Sequence, residues 1–236
     1  MPFVVNIACE LQYPMMQTSG QRILFLSKQD NPFGQRAAEF VRKHFSNPLI
    51  FQGNRKEPLP PEVLNWEGDW MISFISSWIY PQSLLNNAQQ GAINFHPGSP
   101  QYPGTGCTNF AVYNEEKEYG VTAHYMKATV DTGNIIAVKR FPISDSDTVY
   151  GITQHCYKLL EEMFYEIMEC ILQSKPLPSS DEKWARKPYT RKQLNELCEI
   201  KPGMSEEEIE KRIKATTYKY PWAFTKIGNR VFKLEP

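Results

Sequence analysis

Four short apolar runs, separated by polar or helix-forming stretches, constrain most strongly how this chain can fold. Each run is too short for a buried helix and is rich in Ile, Leu or Phe, as is typical of strands that are buried on both faces. Parallel strands need a crossover connection of a dozen or more residues, which favours βαβ units. We therefore predict an α/β fold with a mostly parallel sheet, and its first four strands fall at residues 22–26, 49–51, 70–75 and 91–95.

The elements between and beyond these runs follow from their periodicity. Residues 34–45 and 108–114 are predicted helices, and residues 121–126 and 135–141 are predicted strands that pair with each other. Asp147 is a predicted N-cap for a long helix that ends near Gln173. Its apolar positions repeat every 3.6 residues, as expected for one buried face: Val149, Ile152, Cys156, Leu159, Leu160, Met163, Ile167 and Ile171.

Three segments are predicted along the chain. Residues 1–20 form an N-terminal extension of unclear role, in which residues 3–7 fit a strand. Residues 21–175 form the main domain, because the Pro- and Ser-rich stretch that begins at Lys175 breaks the pattern. Residues 176–236 form a small appendage with two short helices, capped at Thr190 and Ser205, and a hairpin that turns at Gly228-Asn229.

Charge and cysteine content exclude several classes of function. Lys plus Arg and Asp plus Glu number 26 each, so the net charge gives no reason to expect nucleic acid or an anionic membrane as partner. The five cysteines are widely spaced without a CxxC pair, so we expect no disulfide framework, no metal site and a cytoplasmic location. No apolar run approaches the roughly 18 residues of a membrane span, and the N-terminal residues lack a secretory pattern. The first strand precedes neither GxGxxG nor a P-loop, which argues against a dinucleotide enzyme or a P-loop ATPase.

Three polar residues next to Gly or Pro are the best candidates for chemistry. Asn94 and His96 end the fourth strand, two residues apart, so both side chains can face the same ligand crevice. Asp131 lies in the loop between the two last predicted strands of the domain. An amide and an imidazole can stabilise the oxyanion of a tetrahedral intermediate, and a carboxylate can orient the imidazole or move a proton. With no Ser or Cys placed as a covalent nucleophile, the simplest reaction is direct attack of an amine on an acyl donor.

Two motifs carry a family resemblance. The sequences Asn94-Phe95-His96-Pro97 and Val130-Asp131-Thr132-Gly133-Asn134-Ile135-Ile136 closely resemble the formyltransferases that use N10-formyltetrahydrofolate. The resemblance covers roughly residues 22–173 and implies a Rossmann-like, GART-like domain in which Asn94, His96 and Asp131 are catalytic. It implies N10-formyltetrahydrofolate as co-substrate, held largely by backbone groups, and it assigns that site to Ser76, Trp78, Ile79, Val130, Thr132 and Gly133.

The tail and the loop after His96 point to one branch of that superfamily. Residues 212–225 resemble the tail that follows sugar N-formyltransferase domains, although Trp222 replaces a small residue. The resemblance implies a nucleotide-linked amino sugar as acceptor, contacts from Tyr102, Gly104 and Thr105, a homodimer formed through the appendage, and a place in lipopolysaccharide O-antigen biosynthesis. A methionyl-tRNA enzyme is expected to carry a longer, more basic C-terminal barrel. Phosphoribosylglycinamide formyltransferase, formyltetrahydrofolate hydrolase and a non-catalytic folate-binding member remain as alternatives.

Several residues have a structural reading beside the functional one. Tyr102 can touch the acceptor or pack on its own Pro-rich turn, and Trp78 can flank the pterin or cover the sheet edge. Trp222 can stack on a base, but packing is favoured for a lone aromatic residue. His44, His124 and His155 receive no functional assignment. For His124, the sequence does not determine which face of its strand the side chain is on.

Overall fold

The computed structural model describes residues 19–54 and 56–235. The predicted strand at residues 3–7 lies outside the described residues. The main sheet contains β1 (Ile23–Lys28), β2 (Leu49–Gly53), β3 (Gly68–Phe74), β4 (Ala88–His96), β5 (Glu118–Tyr125) and β6 (Ile135–Pro142). The helices between and after these strands are α1 (Pro32–His44), α2 (Pro61–Leu64), α3 (Gln82–Asn86), α4 (Cys107–Tyr113) and α5 (Val149–Leu172).

The six strands form one sheet in the order β2-β1-β3-β4-β5-β6. The first four strands are parallel, whereas β5 is antiparallel to both β4 and β6. The predicted α/β class, the mostly parallel sheet and the pairing of the last two strands are therefore confirmed. The short helices α2 and α3 lie in stretches that the sequence analysis treated as connections.

Side-chain alternation along the strands divides the core into two layers. In β1, Ile23 and Phe25 face the layer covered by α1 and α5, while Leu24 and Leu26 face the layer covered by α2 and α3. Phe164 of α5 is fully buried at the centre of the first layer, where its ring contacts an aromatic cluster made of Phe25, Phe40, Phe74 and Phe95. Alternation along β4 then puts Asn94 and His96 on the same face as Ala92, in the second layer.

The start of α5 differs from the prediction. Thr148, not Asp147, is the N-cap, and its hydroxyl accepts a hydrogen bond from the amide of Gly151. Asp147 accepts instead from the amide and the hydroxyl of Ser144, which orders the preceding turn. The two residues offer equivalent cap oxygens, so the path of the incoming chain decides between them.

The C-terminal part contains α6 (Arg191–Cys198), β7 (Glu199–Ile200), α7 (Glu206–Thr216), β8 (Phe224–Ile227) and β9 (Arg230–Lys233). Thr190 and Gln193 form the predicted capping box, and Ser205 caps α7 through the amide of Glu208. The predicted hairpin is present, and β7 adds to it a third strand parallel to β8. Among the described residues, no helix combines the length and the apolar character needed to cross a membrane.

Candidate active site

Strand pairing brings together the polar residues of the candidate site. Asn94 on β4 pairs with His124 on β5, and His96 lies two residues beyond Asn94 on the same face. The pairing of β5 with β6 shifts register between Ala123 and His124. Irregularities of this kind are common beside active sites, where they redirect a side chain. Asp131 comes from the turn that joins β5 to β6, so β4, β5 and this turn all supply groups to one cluster.

The Asp131 carboxylate is the centre of the cluster. One oxygen, Oδ2, accepts from the amide of Gly104 at 2.7 Å and lies 3.2 Å from Nδ1 of His96. The other, Oδ1, lies 3.1 Å from Nε2 of His124 and 3.4 Å from Nδ2 of Asn94. Burial on its own would raise the pKa of Asp131, but the neighbouring imidazoles and the Gly104 amide hold that pKa well below its usual range. Asp131 is therefore an ionised carboxylate, although it is only 4% exposed.

Both histidines are held at both ring nitrogens. Nε2 of His96 lies 2.9 Å from the carbonyl oxygen of Tyr102, and Nδ1 of His124 lies 2.8 Å from the carbonyl oxygen of Tyr125. A carbonyl oxygen can only accept a hydrogen bond, and so can the ionised Asp131. Nε2 of His124 also lies 3.2 Å from Nδ2 of Asn94, so Asn94, His124 and Asp131 form one connected polar network.

A cavity of about 290 Å³ opens beside this cluster. Asn94, His124 and Asp131 line its wall, whereas His96 lies behind them. Of the residues assigned from the sequence to ligand binding, six line the cavity: Ser76, Trp78, Ile79, Gly104, Thr105 and Val130. Its volume is at the lower end of the usual range for small-molecule sites.

The other three residues with predicted binding roles are placed differently. Tyr102 is buried, and its hydroxyl donates to Glu116 at 2.6 Å, so its side chain packs in the core while its carbonyl oxygen holds His96. Thr132 donates to the carbonyl oxygen of Thr129. Gly133 is buried, and a Cβ built on it would lie 1.6 Å from the carbonyl oxygen of Tyr125. These residues shape the site from behind the cavity wall.

Trp78 lines the cavity and also covers the edge of the main sheet. Its ring lines the cavity and packs over Gly53 at the end of β2, where a Cβ would meet the indole at 2.3 Å. Its Nε1 donates to the carbonyl oxygen of Glu57 at 2.9 Å. The indole is thus a fixed wall of the cavity, and its polar atom is not available to a ligand.

A hydroxyl cluster forms another wall of the cavity. The phenol of Tyr80 donates to Ser76 at 2.7 Å and lies 3.3 Å from the hydroxyl of Ser73. Burial is the main cause that raises the pKa of Tyr80 to about 12, so the phenol remains a neutral donor. These three residues follow or end β3, at the carboxyl edge of the parallel strands where ligands of open α/β sheets bind.

The sequence analysis assigned no role to His124, which the structure places 1% exposed against Asp131. A polar residue on the inward face of a strand, seven positions before a candidate catalytic carboxylate, is the signal that could have found it. The other two unassigned histidines lie outside the cluster: His44 ends α1, and His155 is exposed with its ring stacked on Phe141 at 4.2 Å. Trp222 is 44% exposed beside Tyr218 and does not line the cavity.

A segment that follows the predicted main domain also reaches the cluster. Residues 184–189, here called the strap, run along the loop after His96. Amides of Ala185 and Tyr189 donate to the carbonyl oxygens of Pro100 and Pro103, and Thr105 donates back to Tyr189. The Tyr189 ring stacks on Phe110 at 3.7 Å between ring centroids. The strap is therefore fixed against the loop that follows His96.

Comparison with known proteins gives this geometry a context. The family model described as "Formyl transferase" matches residues 4–168. The chain is 28% identical over 184 residues to methionyl-tRNA formyltransferase of Myxococcus xanthus, and the alignment covers 76% of this chain and 57% of that protein. The chain thus spans little more than half the length of the curated relatives it matches.

Solved structures resemble the chain over nearly its whole length. A sugar N-formyltransferase from a Shewanella species superposes with a TM-score of 0.71 at 17% identity, covering 92% of this chain and 97% of that one. An N-formyltransferase from Helicobacter canadensis, in complex with folinic acid and dTDP-3-aminofucose, superposes with a TM-score of 0.66 at 18% identity. That match covers 89% of this chain and 85% of the other. At such identities the likeness establishes a shared fold.

Proposed function

The chain belongs to the formyl transferase family, and on that premise we propose that it formylates the primary amine of a nucleotide-linked amino deoxysugar with N10-formyltetrahydrofolate. The observation that carries this proposal is the cluster of Asn94, His96, His124 and Asp131 at the cavity wall. It combines an amide donor, two imidazoles and an ionised carboxylate within hydrogen-bond reach of one another. Such a set serves acyl transfer to an amine without a covalent enzyme intermediate.

In the proposed mechanism the acceptor nitrogen attacks the formyl carbon, and the carbonyl oxygen becomes an oxyanion. The Asn94 amide and the His96 imidazole stabilise that oxyanion. Asp131 accepts a hydrogen bond from the attacking amine and assists the transfer of the proton that the amine loses. The bond from the formyl carbon to N10 then breaks, and N10 receives a proton as tetrahydrofolate leaves.

Asn94 and His96 differ in their position relative to the cavity, because Asn94 lines it and His96 does not. Asn94 lines the cavity, and its amide nitrogen, which lies 3.4 Å from Asp131, carries two hydrogens, so one of them can be donated to a bound formyl oxygen. The His96 ring is engaged by the Tyr102 carbonyl at 2.9 Å and would have to exchange that hydrogen bond for a direct contact with the ligand. Catalytic hydrogen bonds commonly rearrange when the substrate binds.

The cavity supports a folate site between two loops. The loop after β3 contributes Ser76, Trp78 and Ile79, and the loop after β5 contributes Val130. Since the Trp78 indole N–H is already bonded, polar recognition of a pterin there falls to backbone groups and to hydroxyls such as that of Ser76. The structure of the Helicobacter canadensis protein with folinic acid supports the same class of co-substrate.

Basic residues on and beside the strap support an anionic acceptor. Lys183, Arg186, Lys187 and Arg191 are exposed and make no ion pair within the described ranges. The Arg186 guanidinium is held flat over the Tyr189 ring, 3.5 Å from its centroid. The diphosphate of a nucleotide-linked sugar is the complementary group for such a surface.

Methionyl-tRNA is a second candidate acceptor, because the curated relatives are methionyl-tRNA formyltransferases. The same basic residues would suit an RNA backbone. Two observations favour the nucleotide sugar. One is the tail motif at residues 212–225, and the other is the structural match to the Shewanella sugar enzyme, which covers 97% of that chain.

We also propose a cytoplasmic homodimer that forms through the hairpin of β8 and β9. Ile227, Val231 and Phe232 are 65%, 55% and 48% exposed, which is unusual for apolar side chains grouped on one small element. Light scattering on the purified protein tests this point, with Val231→Lys as the variant expected to become monomeric. A wild-type protein that stays monomeric at assay concentrations contradicts it.

An acceptor panel tests the reaction and the substrate class. The protein is incubated with N10-formyltetrahydrofolate and, separately, nucleotide-linked 3-amino and 4-amino deoxysugars, glycinamide ribonucleotide, methionyl-tRNA or no acceptor, and tetrahydrofolate is measured. Turnover only with an amino sugar supports the proposal. Turnover with glycinamide ribonucleotide or methionyl-tRNA reassigns the acceptor, turnover without acceptor indicates a hydrolase, and folate binding without turnover indicates a non-catalytic protein.

Two substitutions test the assignment of the cluster. Asp131→Asn and His96→Asn should lose most of kcat while they retain folate binding. His155→Asn is the matched control, since His155 is exposed and contacts only the Phe141 ring among the described contacts. A His96→Asn enzyme with normal turnover would remove His96 from the catalytic set.

A further inference from the structure

Trp184 on the strap contacts the cluster from three directions. Its ring packs edge to face on both imidazoles, at 89° and 5.0 Å between centroids for His124 and at 73° and 5.9 Å for His96. Its Nε1 donates to the carbonyl oxygen of Gly133 at 2.8 Å. One side chain therefore touches both histidines and the turn that carries Asp131.

The turn held by Trp184 is under tight geometric constraint. Asp131 has a φ of +47°, in the left-handed region that L residues with a side chain rarely adopt. Gly133 lies so close to the carbonyl oxygen of Tyr125 that no side chain fits there. Small movements of this turn would change the distances from the Asp131 carboxylate to its donors, and the hydrogen bond from Trp184 to Gly133 opposes such movements.

The strap itself is firmly attached, so that Trp184 has a fixed base. Ala185 donates to Pro100 at 3.0 Å, and Tyr189 donates to Pro103 at 2.8 Å. Trp184 does not line the cavity. Its contacts with the site are those with the two histidines and with the turn that carries Asp131.

We propose that Trp184 is a positioning residue, which holds the two imidazoles and the Asp131 turn in their hydrogen-bonded arrangement and keeps water from the imidazoles. Exclusion of water strengthens the electrostatic interactions within the cluster, because the local dielectric constant falls. The expected loss of kcat rests on the proposed formyl transfer. The expected change in the position of the two imidazoles rests only on the contacts of Trp184. It extends the catalytic machinery beyond residue 175.

Steady-state kinetics on graded variants tests the positioning role. Trp184→Phe keeps an aromatic ring but removes the N–H, and kcat should fall about 2- to 10-fold, the range for one neutral hydrogen bond. Trp184→Ala also removes the ring contacts, and kcat should fall about 100-fold, as for a catalytic group displaced by about 1 Å. KM for the folate should stay within about twofold, because Trp184 is outside the cavity. Trp222→Phe is the control, since Trp222 is also in the C-terminal part, does not line the cavity and makes its ring contact with Tyr218.

Histidine NMR gives a readout that does not depend on turnover. With 15N-labelled histidine, Trp184→Ala should shift the ring signals of His96 and His124, while His44 and His155 serve as internal references. Thermal unfolding checks that each variant folds, and Trp184→Phe carries the test if Trp184→Ala does not.

The outcomes separate this inference from the proposed function. A loss of kcat together with shifted His96 and His124 signals supports the positioning role. Unchanged kcat in a folded Trp184→Ala protein overturns it, as do unchanged histidine signals. If the wild-type protein transfers no formyl group, the proposed function fails, and the NMR comparison alone decides whether Trp184 positions the cluster.

Discussion

Replacing His124 by Phe tests whether this histidine supports the Asp131 carboxylate. Its Nε2 lies 3.1 Å from Oδ1 of Asp131, and its Nδ1 lies 2.8 Å from the carbonyl oxygen of Tyr125. Phe fills a similar ring volume but offers no hydrogen bond. In the variant, Oδ2 of Asp131 keeps its contacts with His96 and with the Gly104 amide. Oδ1 keeps only the 3.4 Å contact from Asn94.

The expected loss can be worked out from these contacts. A hydrogen bond to a charged group contributes about 1.5–3 kcal/mol, and each 1.4 kcal/mol corresponds to about a tenfold change. If the interaction is used fully in the transition state, kcat/KM falls roughly 10- to 100-fold. The loss should appear mainly in kcat, since in the proposed mechanism the carboxylate acts on the proton of the attacking amine.

Initial rates of tetrahydrofolate formation, measured with saturating acceptor and varied folate, provide the assay. His155→Phe is the matched control, because it makes the same substitution at an exposed position and keeps the ring stack on Phe141. Circular dichroism and thermal unfolding confirm that the variant is folded. A folded His124→Phe enzyme within twofold of wild type would refute the view that His124 is part of the machinery.

Three further predictions concern stability and the shape of the site. Phe164→Ala should lower the free energy of unfolding by about 3–5 kcal/mol in urea titrations, because Phe164 is fully buried among aromatic rings. Gly133→Ala should abolish turnover and reduce the soluble yield, because its Cβ would lie 1.6 Å from the Tyr125 carbonyl oxygen; normal activity would show that the Asp131 turn can move. The depressed pKa of Asp131 contributes stability above the ordinary carboxyl pKa near 3.9, and this contribution is lost as the pH falls. The free energy of unfolding of Asp131→Asn should therefore decline less steeply below about pH 4 than that of the wild type. Equal slopes would contradict the assigned ionisation of Asp131.

Local patterns predict the elements well where each residue's preference depends on its neighbours in sequence. Alternation along β4 predicts that Asn94 and His96 share a face, and in the structure both side chains contact Asp131. The capping box at Thr190 and the turn at Gly228 depend on hydrogen bonds and φ angles within a few residues, and both are present. Turn and cap chemistry is local, so it can be predicted from a short window of sequence.

Side-chain direction in loops is less predictable, as Tyr102 shows. Its position in a Pro-rich loop beside His96 is compatible with ligand contact, yet its hydroxyl is bonded to Glu116 and Asn114 in the core. Thr132 and Gly133 likewise support the turn from behind instead of lining the cavity. A motif indicates that residues belong to a site, whereas the packing around them decides which atoms face the ligand.

The amino-acid sequence thus carries the α/β class, the positions of most strands and helices, and the polar trio of Asn94, His96 and Asp131. Only the folded chain brings His124 and Trp184 to that trio. His124 arrives through antiparallel pairing and a register shift beside it, and Trp184 arrives on a strap 53 positions after Asp131 in the sequence. Both depend on contacts between segments that are distant in the chain. Such contacts follow from which surfaces pack together, and no local preference of His124 or Trp184 encodes them.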